Sequence, residues 1–364
     1  MKPSDTALTP PKILFRPDAP RFLDENRLWQ GIPSVEITEG GTLYAIFYSG
    51  GKTEQRGNFA VLIKSADGGR TWNGPELAVE HLNPEMRVFD PNIWCDPLGR
   101  LWLFWAQSLG FYDGRAGVWA SVCSNPDADT PVWGAPSRIG DGVMMNKPTV
   151  TKCGDWVFPC AGWAAVVTQG PRPELEAGLL SNVYVSSDGG KTFAFCGGAD
   201  IPGRSFDEHM ITELSDSRLW MLVRTEYGIG QSFSPDGGKT WSAGEDSGLG
   251  GPCSRFFIRR LSSGRLLLVN HINFDGRNNI TAVLSEDDGK SWLGGLLLDP
   301  RKNVSYPDGT QGADGRLYVV YDRERYKDKE ILLAVFTEED ILAEQLLTKD
   351  SQLSAVINRA GGNI

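Results

Sequence analysis

Tyrosine, carboxylate and arginine side chains recur at one kind of position in this sequence, near the start of a predicted strand. Six such starts can be recognised, and each precedes a turn and then an apolar run. A carboxylate or a phenol can take part in proton transfer, and an arginine offers a rigid two-donor fork to an anion. These residues predict acid–base chemistry on an anionic ligand if the fold brings them together. They are Gln30, Asp90, Asn146, Lys147, Glu208, His209, Arg255, Tyr306 and Asp308.

Further charged residues lie in the loops that are predicted to follow the second strand of each repeat. The chain as a whole has a net charge of −10, which argues against a general nucleic-acid binder. An acidic protein that gathers arginines in one set of loops is predicted to bind an anionic ligand there. The loop residues are Glu54, Arg56, Asp113, Arg115, Arg172, Arg224, Glu226, Asp275, Arg277, Arg323 and Arg325.

A repeated eight-residue pattern indicates how these residues are positioned. In each copy an aspartate can accept backbone N–H bonds across a turn, glycines supply positive φ, and an aromatic residue folds back as a hydrophobic plug. The four clear copies start 121, 48 and 51 residues apart, and a degenerate copy splits the long interval into 59 and 62. Such a period, with short strands between copies, predicts a propeller or a solenoid. The copies are Ser65–Trp72, Ser124–Trp133 (degenerate), Ser186–Phe193, Ser234–Trp241 and Ser285–Trp292.

The six strand starts predict an all-β fold, a six-bladed β-propeller with four-stranded antiparallel blades. In such a blade the start of the first strand and the loop after the second strand lie on the same face. The polar residues above are therefore predicted to surround one axial mouth, with the repeated turns on the opposite face. The apolar second strands are predicted at residues 43–48, 100–105, 219–223, 266–269 and 317–321.

We expect a single propeller domain over residues 11–345, a disordered segment 1–10 and a tail 346–364. The segment Lys12–Phe15 is predicted to pair with the last blade and close the ring. A short helix is predicted to begin near Glu338. The six cysteines show no CxxC spacing, which favours buried free thiols. The absence of an apolar leader and of an 18-residue apolar run predicts a cytoplasmic protein, or a secreted one if a signal was trimmed.

With these features the chain resembles the sialidase (neuraminidase) superfamily, six-bladed propellers whose repeated turn is the Asp box or BNR repeat. The resemblance extends from Trp29 to about Phe336 and implies a tyrosine nucleophile paired with a glutamate, an aspartate acid/base and three arginines on the substrate carboxylate. The segment 305–311, with Tyr306, is similar to the one that bears the tyrosine, and 207–214, with Glu208, matches the one that bears the glutamate. The pair makes chemical sense because the carboxylate can accept the phenol proton.

The chain departs from this pattern at several positions. The family's opening Tyr/Phe-Arg-Ile-Pro reads Gln30-Gly31-Ile32-Pro33 here, so the first arginine is absent. Arg277 aligns with one arginine, the arginine expected near residues 229–231 is replaced, and Glu54 is the only carboxylate in the acid/base segment. The resemblance thus leaves open whether the sugar is N-acetylneuraminic acid or another acidic or deoxy sugar.

The resulting hypothesis is an exo-acting glycoside hydrolase that removes a terminal, anionic, sialic-acid-like sugar. Its partner is a carbohydrate, with no cofactor, metal, nucleic acid or membrane, and its oligomeric state is open. The alternatives are a rhamnosidase-like glycosidase or polysaccharide lyase that uses His209 and Tyr306 differently, and a non-catalytic carbohydrate-binding propeller. An enzyme predicts a deep mouth with Tyr306 and Glu208 within hydrogen-bond reach, whereas a binding module predicts a shallow aromatic face. The candidate catalytic residues are Tyr306, Glu208, Glu54 and Asp90, and the candidate substrate-binding residues are Arg277, Arg224, Arg255, His209, Gln30, Lys147 and Arg56.

Overall fold

The protein folds as a ring of six antiparallel sheets, seen in a computed structural model that describes residues 7–112, 116–163 and 178–361. Asp113, Arg115 and Arg172, predicted to lie at the mouth, are outside these residues. The strands are β1 (Lys12–Phe15), β2 (Trp29–Ile37), β3 (Leu43–Gly50), β4 (Phe59–Ser65), β5 (Asn73–Glu80), β6 (Met86–Cys95), β7 (Leu101–Leu109), β8 (Gly117–Cys123), β9 (Ser137–Asp141), β10 (Thr149–Val150), β11 (Trp156–Ala161), β12 (Ser181–Ser186), β13 (Ala194–Ala199), β14 (Met210–Glu213), β15 (Leu219–Thr225), β16 (Gly228–Ser234), β17 (Glu245–Asp246), β18 (Phe257–Arg260), β19 (Leu266–His271), β20 (Ile280–Ser285), β21 (Leu293–Asp299), β22 (Val304–Gln311), β23 (Leu317–Arg323), β24 (Glu330–Phe336) and β25 (Gln352–Arg359).

The strands follow one another through each sheet, which confirms the predicted six-bladed propeller. Blade one is β2 to β5 with β1 added outside β5, and blades two to six are the successive sets of four strands from β6 to β25. The predicted apolar second strands are β3, β7, β15, β19 and β23, as expected. The predicted helix is α1 (Glu338–Ala343), which begins after Thr337 with a capping box. Two short 3₁₀ turns, Pro20–Phe22 and Asp24–Asn26, precede β2.

The repeated octet forms the turn between the third and fourth strands of a blade, as predicted. In the first copy Asp67 Oδ1 accepts the Thr71 N–H at 2.9 Å and Asp67 Oδ2 accepts its hydroxyl at 2.7 Å. Gly69 donates its N–H to Ser65 Oγ at 2.9 Å, and Trp72 Nε1 donates to the Gly69 carbonyl at 3.1 Å. These bonds to the ionised carboxylate hold the pKa of Asp67 down at about 2. The box is therefore a structural turn.

The ends of the chain close the ring differently from the prediction. β1 pairs with β5 of the first blade, from Lys12 opposite Glu80 to Phe15 opposite Leu77, so the prediction that it pairs with the last blade is wrong. β25 forms the outer strand of blade six, and the propeller extends beyond the predicted boundary at residue 345. Each terminal blade is thus built from its own segment, and among the described strands none is exchanged across the junction.

Side chains join the first and last blades instead. The Ile32 N–H donates to Asp322 Oδ2 at 2.8 Å, and Ser34 Oγ donates to Asp308 Oδ2 at 2.7 Å. Arg27, fully buried, donates to Asn358 Oδ1 at 2.5 Å. We refer to these contacts between blades one and six as the seam.

The predicted disorder of residues 1–10 is only partly testable, because residues 1–6 are outside the described chain. Ala7 is fully buried, and Gln107 Nε2 donates to the carbonyls of Ala7 and Thr9 at 2.9 and 2.7 Å. This part of the segment therefore contacts β7 of the second blade.

The hydrophobic core lies between the faces of neighbouring blades. Separate clusters fill the spaces between blades one and two, two and three, three and four, and six and one, and a larger cluster spans blades four to six. One further cluster, rich in aromatic rings, lies under the axial mouth and includes Trp29, Phe89, Trp163 and Tyr306. The six cysteines are free thiols, as predicted, but only Cys123 and Cys160 are buried; Cys153 is exposed, and Cys95, Cys196 and Cys253 are partly buried. Among the described residues no helix is long and apolar enough to cross a membrane.

Candidate active site

A cavity of about 630 Å³ opens at one end of the propeller axis. Every blade contributes to its wall, because the inner strands and the loops after the second strands converge there. One lining residue from each blade in order is Ile32, Asp90, Met145, Glu208, Arg277 and Tyr306. The predicted axial mouth is thus present, and it is a deep cavity rather than a shallow face.

Three polar side chains meet at the centre of this cavity. Tyr306 Oη donates to Glu208 Oε1 at 2.5 Å, and Arg224 Nη1 donates to the same carboxylate oxygen at 2.5 Å and to Tyr306 Oη at 2.8 Å. All three side chains are buried. The second oxygen, Glu208 Oε2, is buried and has no hydrogen-bond partner within the described part of the chain. The carboxylate can therefore accept the phenol proton and still bind a ligand hydroxyl.

Local backbone strain aims several of these side chains into the cavity. Ile32, Asp90, Glu208 and Tyr306 all have positive φ, between 46° and 58°, which is uncommon for residues other than glycine. In β2, β6 and β22 the strained residue lies in a bulge, where three steps along the inner strand match two steps of its partner. Such a bulge bends the strand and redirects a side chain. The strain is typical of a functional site.

Arginines surround the phenol of Tyr306. The guanidinium of Arg325 lies 4.1 Å from the ring centre and that of Arg277 lies 5.4 Å from it. Burial and the nearby Glu208 charge raise the pKa of Tyr306 above its ordinary value, although the three guanidinium groups oppose this shift. At neutral pH the tyrosine is thus a neutral phenol, and it needs a base before it can act as a nucleophile.

Arg224 and Arg277 differ in how their charge is balanced. Burial lowers the pKa of Arg224, but the charges of Glu208 and Tyr306 outweigh it and raise the pKa overall, so this arginine stays protonated. Arg277 Nη2 donates to the Cys253 carbonyl at 3.1 Å. Arg277 forms no ion pair with any described residue, which leaves its positive charge available to an anionic ligand.

Glu54 lies at the rim of the cavity, between two arginines. Its carboxylate oxygens are 3.8 Å from Arg87 Nη1 and 3.7 Å from Arg325 Nη1. The Glu54 side chain is 28% exposed, in contrast to the buried Glu208. Its carboxylate therefore lies between the cavity and the solvent.

Asp90 is a second buried carboxyl group in the cavity wall. Burial raises its pKa to about 8, and the charges of Glu54 and Glu208 add to the effect against the opposing charges of Arg87 and Arg325. The group consequently holds a proton at neutral pH. In this form it can donate a hydrogen bond to a ligand.

The sequence is similar to known proteins along most of its length. The profile of the BNR repeat-like domain matches residues 41–319. The chain belongs to this family, within the sialidase superfamily. It is 25% identical over 326 residues to a sialidase of Bacteroides fragilis (strain YCH46), an alignment that covers 78% of this chain and 58% of the relative. It is 27% identical over 329 residues to a sialidase of Micromonospora viridifaciens, covering 77% and 48% respectively. The chain thus spans only about half the length of these relatives.

Solved sialidase structures share the fold of this BNR repeat-like chain. The Hadza microbial sialidase Hz136 superposes with a TM-score of 0.67 at 18% identity, covering 86% of this chain and 66% of the other. The intramolecular trans-sialidase from Ruminococcus gnavus, solved with oseltamivir carboxylate, superposes with a TM-score of 0.65 at 15% identity, covering 91% and 98%. At these identities the likeness establishes the propeller alone.

Two of the candidate substrate-binding residues of this BNR repeat-like propeller form a buried axial cluster, below the cavity rather than in its wall. Arg255 Nη2 donates to Asp308 Oδ1 at 3.0 Å, and Lys147 Nζ lies 3.1 Å from Asp308 Oδ2. Arg255 Nε also donates to Asn146 Oδ1 at 2.6 Å. The cluster joins blades three, five and six, and its charges are compensated within the protein.

Three other candidates are also held away from the cavity. Gln30 Nε2 donates to the Lys329 carbonyl at 2.8 Å, and the fully buried His209 bonds through Nε2 to the Asn182 carbonyl at 2.8 Å. Arg56 is half exposed and pairs with Glu85. Burial lowers the pKa of His209 to about 4, so it is neutral near pH 7. Because of these contacts, none of the three side chains reaches a ligand in the cavity directly.

Sequence reasoning left Arg325 out of the candidate set, although it lies close to Tyr306. The sequence places Arg325 and Arg323 in the same loop, but Arg323 pairs with Asp328 and Glu330. The signal that separates them is the spacing to Asp322, which is three residues before Arg325 and holds its Nε at 2.8 Å.

Replacing Asp90 with asparagine is expected to weaken the pH dependence of folding stability. The folded pKa of about 8 exceeds the ordinary 3.8, so the folded state keeps a proton that the unfolded chain releases. The stabilisation from this group is full below the unfolded pKa and is lost as pH rises through the folded pKa. Urea denaturation across this range should show a smaller decline for Asp90→Asn than for wild type. The exposed Asp314→Asn is the control, and an unchanged slope in Asp90→Asn contradicts the assignment.

Proposed function

We propose that this protein is an exo-acting glycoside hydrolase that removes a terminal anionic sugar. The observation that carries the proposal is the hydrogen-bonded Tyr306–Glu208–Arg224 group in an axial cavity of a sialidase-superfamily propeller. A cavity of about 630 Å³ is of a suitable size for one substituted sugar ring. The relatives named as sialidases support the same class of reaction.

In the first step Glu208 removes the phenol proton while Tyr306 Oη attacks the anomeric carbon. The Oη–carbon bond forms, the bond to the leaving oxygen breaks, and an acid transfers a proton to that oxygen. Arg224 contacts both Oη and Glu208, so it stabilises the negative charge that moves between them. A neutral phenol also avoids repulsion between an ionised nucleophile and an anionic substrate.

In the second step water hydrolyses the tyrosyl–sugar bond. The acid of the first step now accepts a proton from water, and the water oxygen forms a bond to the anomeric carbon. The bond from that carbon to Tyr306 Oη breaks, and Tyr306 recovers its proton from Glu208. Two carboxyl groups on opposite sides of the sugar are sufficient for this cycle.

Glu54 is our candidate for the acid. It is partly exposed at the rim, where the leaving group must depart, whereas Asp90 is buried at the base. Asp90 then acts as a neutral hydrogen-bond donor to the bound sugar. Asp90 and Glu54 line the same cavity, and the charge of Glu54 contributes to the raised pKa of Asp90.

The direct test is hydrolysis of a panel of aryl glycosides of N-acetylneuraminic acid, its deaminated analogue, uronic acids and rhamnose. We expect release of the aryl group from one of the acidic sugars. Cleavage of the rhamnoside alone would favour the rhamnosidase-like alternative. No cleavage of any glycoside, together with sugar binding, would favour a carbohydrate-binding propeller.

The assignment of the acid predicts a dependence on the leaving group. For a poor, alkyl leaving group Glu54→Gln should lower kcat/KM by about 100-fold or more, because that oxygen must be protonated as it departs. For a nitrophenyl leaving group the loss should be much smaller. Asp90→Asn should affect both substrates equally. Leaving-group sensitivity in Asp90→Asn, and none in Glu54→Gln, would reverse the two roles.

A further inference from the structure

Gly31 of blade one and Arg325 of blade six lie very close to each other. A Cβ atom at position 31 would lie 2.7 Å from Arg325 Nε and 2.8 Å from Arg325 Cδ. No side chain fits at position 31 while Arg325 has its present conformation. The side chain of Arg325 therefore occupies the space that a larger residue at position 31 would need.

Arg325 is fixed in this space by its own anion. Asp322 Oδ2 accepts the Arg325 Nε–H at 2.8 Å and lies 2.8 Å from Nη2. The same Asp322 oxygen accepts the Ile32 N–H at 2.8 Å, and Oδ1 accepts the Ser305 hydroxyl at 2.7 Å. The guanidinium is thus anchored along one edge, next to the backbone on both sides of the seam.

The other edge of the guanidinium faces the cavity. Arg325 lines the cavity wall, and Nη1 lies 3.7 Å from Glu54 Oε1, which is longer than a hydrogen bond. Among the contacts of the described residues, Nη1 donates no hydrogen bond. A pre-oriented arginine with two free N–H groups is suited to bind one oxygen of an anion.

We propose that Arg325 takes the place of the arginine that position 31 lacks, and that it binds the carboxylate of the substrate together with Arg224 and Arg277. This inference rests on the proposed function and specifies its ligand as a sugar acid. The three guanidinium groups come from blades four, five and six, and all of them surround Tyr306. The carboxylate is then bound on the side of the cavity formed by blades four to six, and Gly31 is the residue that allows this arrangement.

The test is a binding measurement that does not depend on hydrolysis. Isothermal titration calorimetry would compare N-acetylneuraminate and glucuronate with their methyl esters. Arg325→Ala is expected to weaken binding of the acid by about 10- to 100-fold, the loss of a charged hydrogen bond, and to leave ester binding nearly unchanged. Arg323→Ala is the matched control from the same strand end, and it should bind the acid like wild type.

The decisive variants place an arginine at position 31. Gly31→Arg alone is expected to lose acid binding, because its side chain competes with Arg325 for one space. The double variant Gly31→Arg/Arg325→Ala should regain affinity for the acid relative to Arg325→Ala. Circular dichroism and the midpoint of thermal unfolding would identify variants that fail to fold. If Arg325→Ala fails to fold, Arg325→Lys, which keeps the charge, replaces it in the comparison.

The outcomes separate this inference from the proposed function. Equal losses for acid and ester in Arg325→Ala, or its folded lysine replacement, would assign Arg325 to support of Tyr306 and overturn the inference. Wild type that binds neither acid would overturn it as well. Arg325-dependent acid binding without hydrolysis of any glycoside would sustain the inference and reject the hydrolase.

Discussion

Tyr306→Phe is expected to lower kcat/KM for the cleaved glycoside by about a thousandfold or more, because it removes the nucleophilic oxygen and keeps the ring. The ring still packs against Arg325 and the aromatic cluster under the mouth, so the variant should fold and bind the sugar. Initial rates on the reactive aryl glycoside, with affinity measured separately, would locate the loss in kcat.

Tyr306 and Glu208 should behave as one catalytic unit. Glu208→Gln keeps the shape of the side chain but cannot accept the phenol proton, so its loss should be similar to that of Tyr306→Phe. The double variant should then be little worse than either single variant, because the second change removes a group that has already lost its function. Tyr318→Phe, in the same blade but outside the cavity wall, is the control for removal of a buried hydroxyl. Additive losses would mean that the two residues act independently, and wild-type activity in Tyr306→Phe would exclude the proposed nucleophile.

Asp308→Ala is expected to have the largest effect on stability, a loss of about 3–5 kcal/mol in the free energy of unfolding. The carboxylate of Asp308 is fully buried and balances the fully buried Arg255 and the ammonium group of Lys147. It also accepts the Ser34 hydroxyl and the Val35 N–H at 2.7 and 3.0 Å. Its removal leaves two cations in the axis without their shared anion.

Denaturant unfolding would measure this loss, with Asp314→Ala as the control. Asp314 is a half-exposed aspartate of the same blade, and its pair with Arg316 spans 3.5 Å at the surface, where an ion pair contributes little. If Asp308→Ala were as stable as this control, the axial cluster would not be structural. If the folded variant instead lost only ligand affinity, the predicted role of Arg255 and Lys147 in ligand binding would be supported.

Much of the fold could be predicted because it depends on local chemistry. Each Asp box forms its turn through contacts within one octet, such as Asp67 with Thr71, and the octets recur at blade spacing. The prediction for the strand Lys12–Phe15 names the wrong blade, because two sheet edges, both distant in the sequence, are available for its pairing. Its short apolar run suits either edge equally well.

The candidate site could be predicted less completely, because the direction of a side chain changes at a bulge. Their position at strand starts predicts Lys147 and Arg255 as residues of the mouth, yet both side chains bond within the axis. One extra residue at Asp90 or Tyr306 has the opposite effect and brings the side chain into the cavity. The spacing to Asp322 separates Arg325 from Arg323, but the place of Arg325 beside Tyr306 also depends on the fit of Gly31 across the seam.

The seam also determines when the cavity can exist during synthesis. A ribosome completes blades one to five before it adds Tyr306, Asp308, Asp322 and Arg325, all of which are in blade six. Until then Ile32 and Ser34 lack their partners, and the cavity has no wall on that side. A nascent chain that ends before residue 304 would have five blades and no nucleophile. The complete cavity is therefore expected to form in one step, late in translation, when the last blade joins the first.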